Sequence, residues 1–327
     1  MAWKKILGHE FQMEIMKNAW KSGRLGQAFF FHGPDGIGKR TFAKEMGRAL
    51  LCEKTGPELE ACDACPSCAL VESDNHPDLH YAAPPADSLE FPIELMRQQC
   101  EQFALKSFRG GYRILILDDC DKLNEESANC FLKRLEEPPP KYAIFLLGSS
   151  PEKQLETILS RCQQVAFTAL TDAQVKTLLG KVELPAGANL EKTAEFALGS
   201  PGLAMRVAQP EFLQARETFL QALGEKSPDA VRLAKLAVEF SESAGKNTAE
   251  QRARVIWLFH TLVHFLRNSL KEQLLSEATG GAFSPPRIPA MIQACLSAEE
   301  RIHRRMQISL VVESWVEELL WPANPAI

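Results

Sequence analysis

Ala28-Phe29-Phe30-Phe31-His32 runs directly into Gly33-Pro34-Asp35-Gly36-Ile37-Gly38-Lys39-Arg40, and this junction decides the fold. The first five residues read as a short buried strand. The next seven fit G-x-x-x-x-G-K, the pattern of a phosphate-binding loop, and a helix is predicted from Thr41 to about Leu51. Strand, glycine loop and helix in that order place backbone N–H groups and a helix N-terminus toward phosphate oxygens, with Lys39 as the mobile positive charge. One position departs from the pattern: Arg40 stands where a Ser or Thr hydroxyl would hold Mg²⁺, and Thr41 supplies a hydroxyl only one residue later.

Working outward, Arg113-Ile114-Leu115-Ile116-Leu117 is a second buried strand that ends in Asp118 and Asp119. Near-continuous Ile and Leu suit a parallel strand covered on both faces. Asp118 occupies the place of a metal-holding acid, and Asp119 the place where hydrolysing relatives carry a water-activating Glu. Asn124 is a predicted N-cap for a helix that buries Ala128, Phe131, Leu132 and Leu135 and stops at Pro138-Pro139-Pro140. Tyr142 to Leu147 and Gln163 to Phe167 read as two more strands, which makes residues 1–168 a parallel α/β domain. Beyond Thr168 only helices are expected. Three short ones cover 171–180, 190–198 and 202–208 in a lid of 169–209, and longer amphipathic ones follow in 210–327. Ser284-Pro285-Pro286 marks a loop between two of these.

Cys52, Cys62, Cys65 and Cys68 form the second local signal. Four thiolates with two C-x₂-C spacings suit a tetrahedral Zn²⁺, and a closed set of four ligands favours a structural over a redox role. The module spans about 52–70, with Asp63 and Pro66 shaping its turns. His76 and His80 are alternative ligands but read as surface residues. Cys100, Cys120, Cys130 and Cys295 lack such spacing and read as small hydrophobes. The knuckle carries Lys54 against Glu53, Glu58, Glu60 and Asp63, too acidic to grip a nucleic acid backbone.

Bulk properties narrow the rest. The chain of 327 residues suggests two or three domains, and its net charge of -5 argues against nucleic-acid binding by bulk charge. No stretch approaches the ~18 apolar residues of a membrane span, and Met1 to Leu25 lack a signal-peptide core, so a cytoplasmic location is expected.

The cysteine module behind the loop helix, Leu132-Lys133-Arg134-Leu135-Glu136-Glu137-Pro138-Pro139 and Ser160-Arg161-Cys162 together resemble the bacterial clamp-loader branch of the AAA+ ATPases. Two subunit types carry these features, the ATP-hydrolysing gamma/tau motor and the delta-prime stator. The resemblance implies an AAA+ domain, a helical lid and an α-helical collar through which five subunits assemble. It also implies gamma/tau and delta subunits as partners, with the sliding clamp and primer-template DNA reached through the complex. Arg161 would act in trans as an arginine finger on a neighbour's ATP. Arg40, Asp119, and Gly202 in place of a sensor arginine within Gly199-Ser200-Pro201-Gly202 are three losses on the hydrolysis side. The chain also lacks a tau-like C-terminal extension. These departures look like the delta-prime type, with Gly33, Gly36, Gly38, Lys39, Arg40, Thr41, Asp118 and Asp119 left as a site for ATP or ADP that is poorly equipped for Mg²⁺. The alternative is an active gamma/tau-type ATPase in which Thr41 and Asp119 suffice.

Overall fold

The computed structural model describes residues 3, 6–85, 88, 90–276 and 283–321, so the outermost ends of the first and last predicted domains lie outside the described residues. The chain divides into two compact units, Met1–Glu183 with Ala197–Ala204, and Leu184–Phe196 with Met205–Ile327.

The first unit opens with α1 (Glu10–Lys21), followed by β1 (Ala28–His32), α2 (Lys39–Leu51), α3 (Pro66–Glu72), β2 (Leu79–Ala82) and α4 (Ile93–Ala104). Then come β3 (Arg113–Leu117), α5 (Glu125–Glu136), β4 (Tyr142–Gly148), α6 (Glu156–Leu159), β5 (Gln163–Ala166) and α7 (Asp172–Leu179). The five strands form one parallel sheet in the order β2-β3-β4-β1-β5. The strands predicted from sequence are present, and β2 is an edge strand that sequence reading missed. Alternation assigns the two faces. Phe29, Phe31, Ile114, Ile116, Phe145 and Leu147 pack on one side with Phe42 and Met46 of α2. Phe30, Leu115, Leu117, Ile144 and Leu146 pack on the other with Met96, Phe103, Phe131 and Leu135 of α4 and α5. Asn124 caps α5, its side chain accepting from the Ser127 N–H at 2.9 Å.

Strands β1 and β3 both neighbour β4, so the loop after β1 and the acids after β3 emerge at the same edge of the sheet. Parallel sheets place ligand sites at these carboxyl ends.

Two short helices come next, α8 (Leu190–Phe196) and α9 (Pro201–Val207), of which α8 falls in the second unit and the first turn of α9 in the first. Among the described residues the second unit is helical throughout, with α10 (Pro210–Leu223), α11 (Ala230–Glu242), α12 (Thr248–Ser276), α13 (Ile288–His303) and α14 (Ile308–Leu320). Pro285–Arg287 forms a short 3-10 turn where a loop was expected. Val255, Leu258, Phe259 and Leu262 of α12 share one core with Val311, Val312, Trp315 and Leu319 of α14.

Trp315 is fully buried. Its ring stacks on Phe219 at 5.3 Å and meets Phe259 edge-on at 4.5 Å, while its Nε1 donates to Cys295 Sγ at 3.4 Å. Trp315→Ala is expected to destabilise this unit by about 3–5 kcal/mol, read as a lower denaturant midpoint for loss of helical signal.

Candidate functional site

The glycine loop keeps its predicted context. Gly38 has φ 105° at the N-cap of α2, a conformation closed to most side chains. Lys39 is buried, and its Nζ donates to Gly33 O at 2.5 Å and Pro34 O at 2.8 Å, with Asp35 Oδ1 at 3.6 Å. The ammonium thus lies across the mouth of its own loop. His9 fastens the loop from behind through a 2.9 Å hydrogen bond between Nε2 and Ile37 O.

On the open side, Gly202 N–H donates to Gly36 O at 2.9 Å, and a Cβ on Gly202 would lie 2.9 Å from Gly36 Cα. The residue predicted to replace a sensor arginine therefore contacts the loop backbone itself. No larger side chain fits there unless the two segments separate. Thr41 is exposed on the first turn of α2.

The acids after β3 are already engaged. Asp118 Oδ2 accepts from the Tyr81 hydroxyl at 3.0 Å, and Oδ1 from the Asp119 N–H at 3.1 Å. Burial pushes the Asp118 carboxyl up, opposed by the Tyr81 hydrogen bond, and burial with the Asp118 charge pushes the Tyr81 hydroxyl up as well. Asp119 sits at φ 53° and pairs with Lys122 Nζ at 3.1 Å. Arg40 places its guanidinium carbon 3.9 Å from the centroid of the Tyr81 ring. Sequence reasoning did not single out Tyr81, because a lone tyrosine in an unassigned stretch carries no local signal.

The four predicted cysteines converge, with ligand atoms all within 4.8 Å of one another, and Cys52 and Cys65 sulfurs 4.0 Å apart. Tetrahedral Zn–S bonds of about 2.3 Å put sulfurs ~3.8 Å apart, so the cluster can hold a metal ion. Backbone N–H groups of Lys54 and Cys62 point at Cys52 Sγ, at 3.4 and 3.3 Å, and that of Cys68 at Cys65 Sγ at 3.4 Å. Such donors favour thiolates. The amide of Ala64 leads in bringing the Cys62 thiol down to about 6, whereas burial pushes Cys68 up. Asp63 turns at φ 59°, and Pro66 opens α3, as expected.

Behind the cluster, the buried Arg48 of α2 contacts Glu45 at 2.6 Å, Asp63 at 3.0 Å and Glu72 at 3.3 Å, tying the Asp63 turn and the end of α3 to the loop helix. His76 is a correction to the sequence reading. It is buried, not on the surface, where its Nε2 meets Ser67 Oγ at 3.4 Å and its Nδ1 accepts from Asp78 N–H at 3.1 Å.

Arg161 sits just ahead of β5. The register pairs Phe29 with Gln163 and His32 with Ala166, which puts Arg161 at the opposite end of the sheet from the loop. About six residues of strand, roughly 20 Å, separate the two levels. Its Nε and NH2 donate to Glu136 Oε1 at 3.0 and 2.5 Å. NH1 donates to Thr157 O at 2.7 Å and Ser160 Oγ at 3.1 Å. A guanidinium has five N–H donors, so one on NH2 is left without a partner among the described residues.

Glycine loop, paired acids and sheet order define a P-loop-type α/β unit carrying a cysteine knuckle. Residues 8–171 match the family described as DNA polymerase III, delta subunit, and the chain belongs to that family. It is 28% identical over 267 residues to DNA polymerase III subunit delta' of Escherichia coli (strain K12), covering 82% of this chain and 77% of that protein. Against the delta' subunit of Bacillus subtilis (strain 168) it is 31% identical over 182 residues, 55% of this chain and 54% of the relative. The Escherichia coli (strain K12) tau subunit is 30% identical over 171 residues, 52% of this chain but 26% of its own length.

Proposed function

We propose that this chain is a delta-prime-type stator of a DNA polymerase III clamp loader. It assembles with gamma/tau motor and delta subunits into a hetero-pentamer in the cytoplasm and presents Arg161 to the ATP of a neighbouring motor. The sliding clamp and primer-template DNA are reached through that complex. The 210–327 helices act as the collar, and Cys52, Cys62, Cys65 and Cys68 hold a structural Zn²⁺.

The observation that carries this reading is the position of Arg161, half-exposed and about six strand residues from the chain's own loop. It is too far away to serve that loop and is free to face another subunit. Placed on a neighbour's γ-phosphate, the guanidinium stabilises charge spreading over the phosphate oxygens. Its hold on Glu136 and Thr157 fixes the side chain before that encounter, so little rotamer freedom remains to be lost. The family match and the engaged state of Asp118 and Asp119 support the same assignment.

The experiment is ATP turnover by the purified chain, alone and mixed with motor and delta subunits. The isolated chain is expected to show none above background, while its addition raises turnover by the motors. Robust turnover by the chain alone, abolished by Lys39→Ala, would instead establish the gamma/tau-type reading.

A further inference from the structure

A P-loop of this class implies a divalent cation held between a loop hydroxyl and the acid that ends β3. The residues here do not fit one. Arg40 replaces the hydroxyl, and its guanidinium stands over the Tyr81 ring at 3.9 Å. The same ring carries the hydroxyl that donates to Asp118 Oδ2, and the Asp119 N–H takes Oδ1. Asp119, the other candidate acid, is drawn to Lys122. Magnesium demands near-octahedral oxygen ligands at about 2.0–2.1 Å. It would have to share the Asp118 oxygens with the two donors that already hold them, and then remain close to a positive charge that repels it.

We propose that Arg40 and Tyr81 fill the place of the divalent cation, so that the phosphates of a nucleoside diphosphate bind this loop without metal. Arg40 supplies the charge that Mg²⁺ would bring, held over the ring by cation–π attraction with an edge left for phosphate oxygens. Tyr81 keeps Asp118 from presenting a bare carboxylate to either a cation or a phosphate. The arrangement is independent of the role of Arg161, because the two lie at opposite ends of the sheet.

Two probes on the full chain test this, ADP by titration calorimetry and Mn²⁺ by electron paramagnetic resonance. For the unaltered protein, ADP affinity in EDTA and in Mg²⁺ is expected to agree within about twofold, with no bound Mn²⁺ in the presence of ADP. Arg40→Thr/Tyr81→Phe restores the hydroxyl and frees Asp118. Magnesium is then expected to tighten ADP by about tenfold, with a bound Mn²⁺ signal appearing. If the double variant does not fold, Arg40→Thr alone, at an exposed position, carries the test through the same Mn²⁺ signal.

If the unaltered chain takes no ADP in EDTA, or the folded variant gains no Mn²⁺ signal, the proposal is overturned. Tightening of ADP by magnesium about tenfold in the unaltered chain, or Mn²⁺ bound there, also overturns it.

Discussion

Arg161→Ala is expected to slow ATP hydrolysis at the adjoining motor site by about a thousandfold, while this chain folds and assembles as before. The side chain is half-exposed, and its partners Glu136, Thr157 and Ser160 lie at the surface, so its removal leaves no buried charge behind. The loss therefore falls on the transition state. A guanidinium that meets spreading phosphate charge lowers kcat when removed and leaves the KM for ATP nearly unchanged. Arg161→Lys is expected to rescue little, since an ammonium lacks the planar fork that holds Glu136 Oε1 from Nε and NH2 while leaving an NH2 hydrogen for phosphate. The measurement is single-turnover hydrolysis in a reconstituted complex whose other motor sites are inactivated. Unchanged turnover in that assay would remove Arg161 from the proposed mechanism.

The second large effect is expected from removing a metal held by the four cysteines. Chelation, or Cys68→Ser, is expected to unfold residues 52–72 while the sheet persists. Structural zinc contributes on the order of 10 kcal/mol to modules of this size, and the apolar interior of the knuckle is small. Its interior is Ala61 and the cysteines themselves, with Leu59 and Val71 reaching out to the neighbouring sheet cluster. A few small side chains do not offset the ordering of some twenty residues at about 1–2 kcal/mol each. Hydrogen exchange should show protection collapsing across 52–72 and surviving in β1, β3 and β4. Elemental analysis of the reduced protein should find one zinc per chain. A metal-free reduced sample with unchanged protection would show that the cysteines pack without an ion.

What sequence reading reached, and what it did not, divides along a physical line. Strands β1, β3 and β4 are near-continuous apolar runs because helices cover both faces, and their signal is strong. The knuckle was legible because its four ligands fall within one short stretch. Strand β2 escaped because Leu79–Ala82 is four residues on a sheet edge with only Ala82 fully buried. Helices α1 and α4 were not assigned either, their charged residues diluting the apolar spacing. Arg40 was recognised as a departure, yet its meaning lay in Tyr81, which reaches it only through the β2–β3 pairing. Arg48 and His76 are polar residues buried through contacts outside their own turn of chain. Nothing local distinguishes such residues from solvated ones. Glu136 and Arg161 stood out as motif members, but their contact is tertiary.

Helix α2 carries the glycine loop at its first turn and Arg48, the anchor of the knuckle, near its last. At 1.5 Å per residue its thirteen residues span about 20 Å. A hydrogen-bonded helix of that length bends little, so loop and knuckle behave as the two ends of a rod. A push on the knuckle from a neighbouring surface would be felt at the loop as a tilt, and an ion held by the four cysteines would then set the angle at which that rod is held.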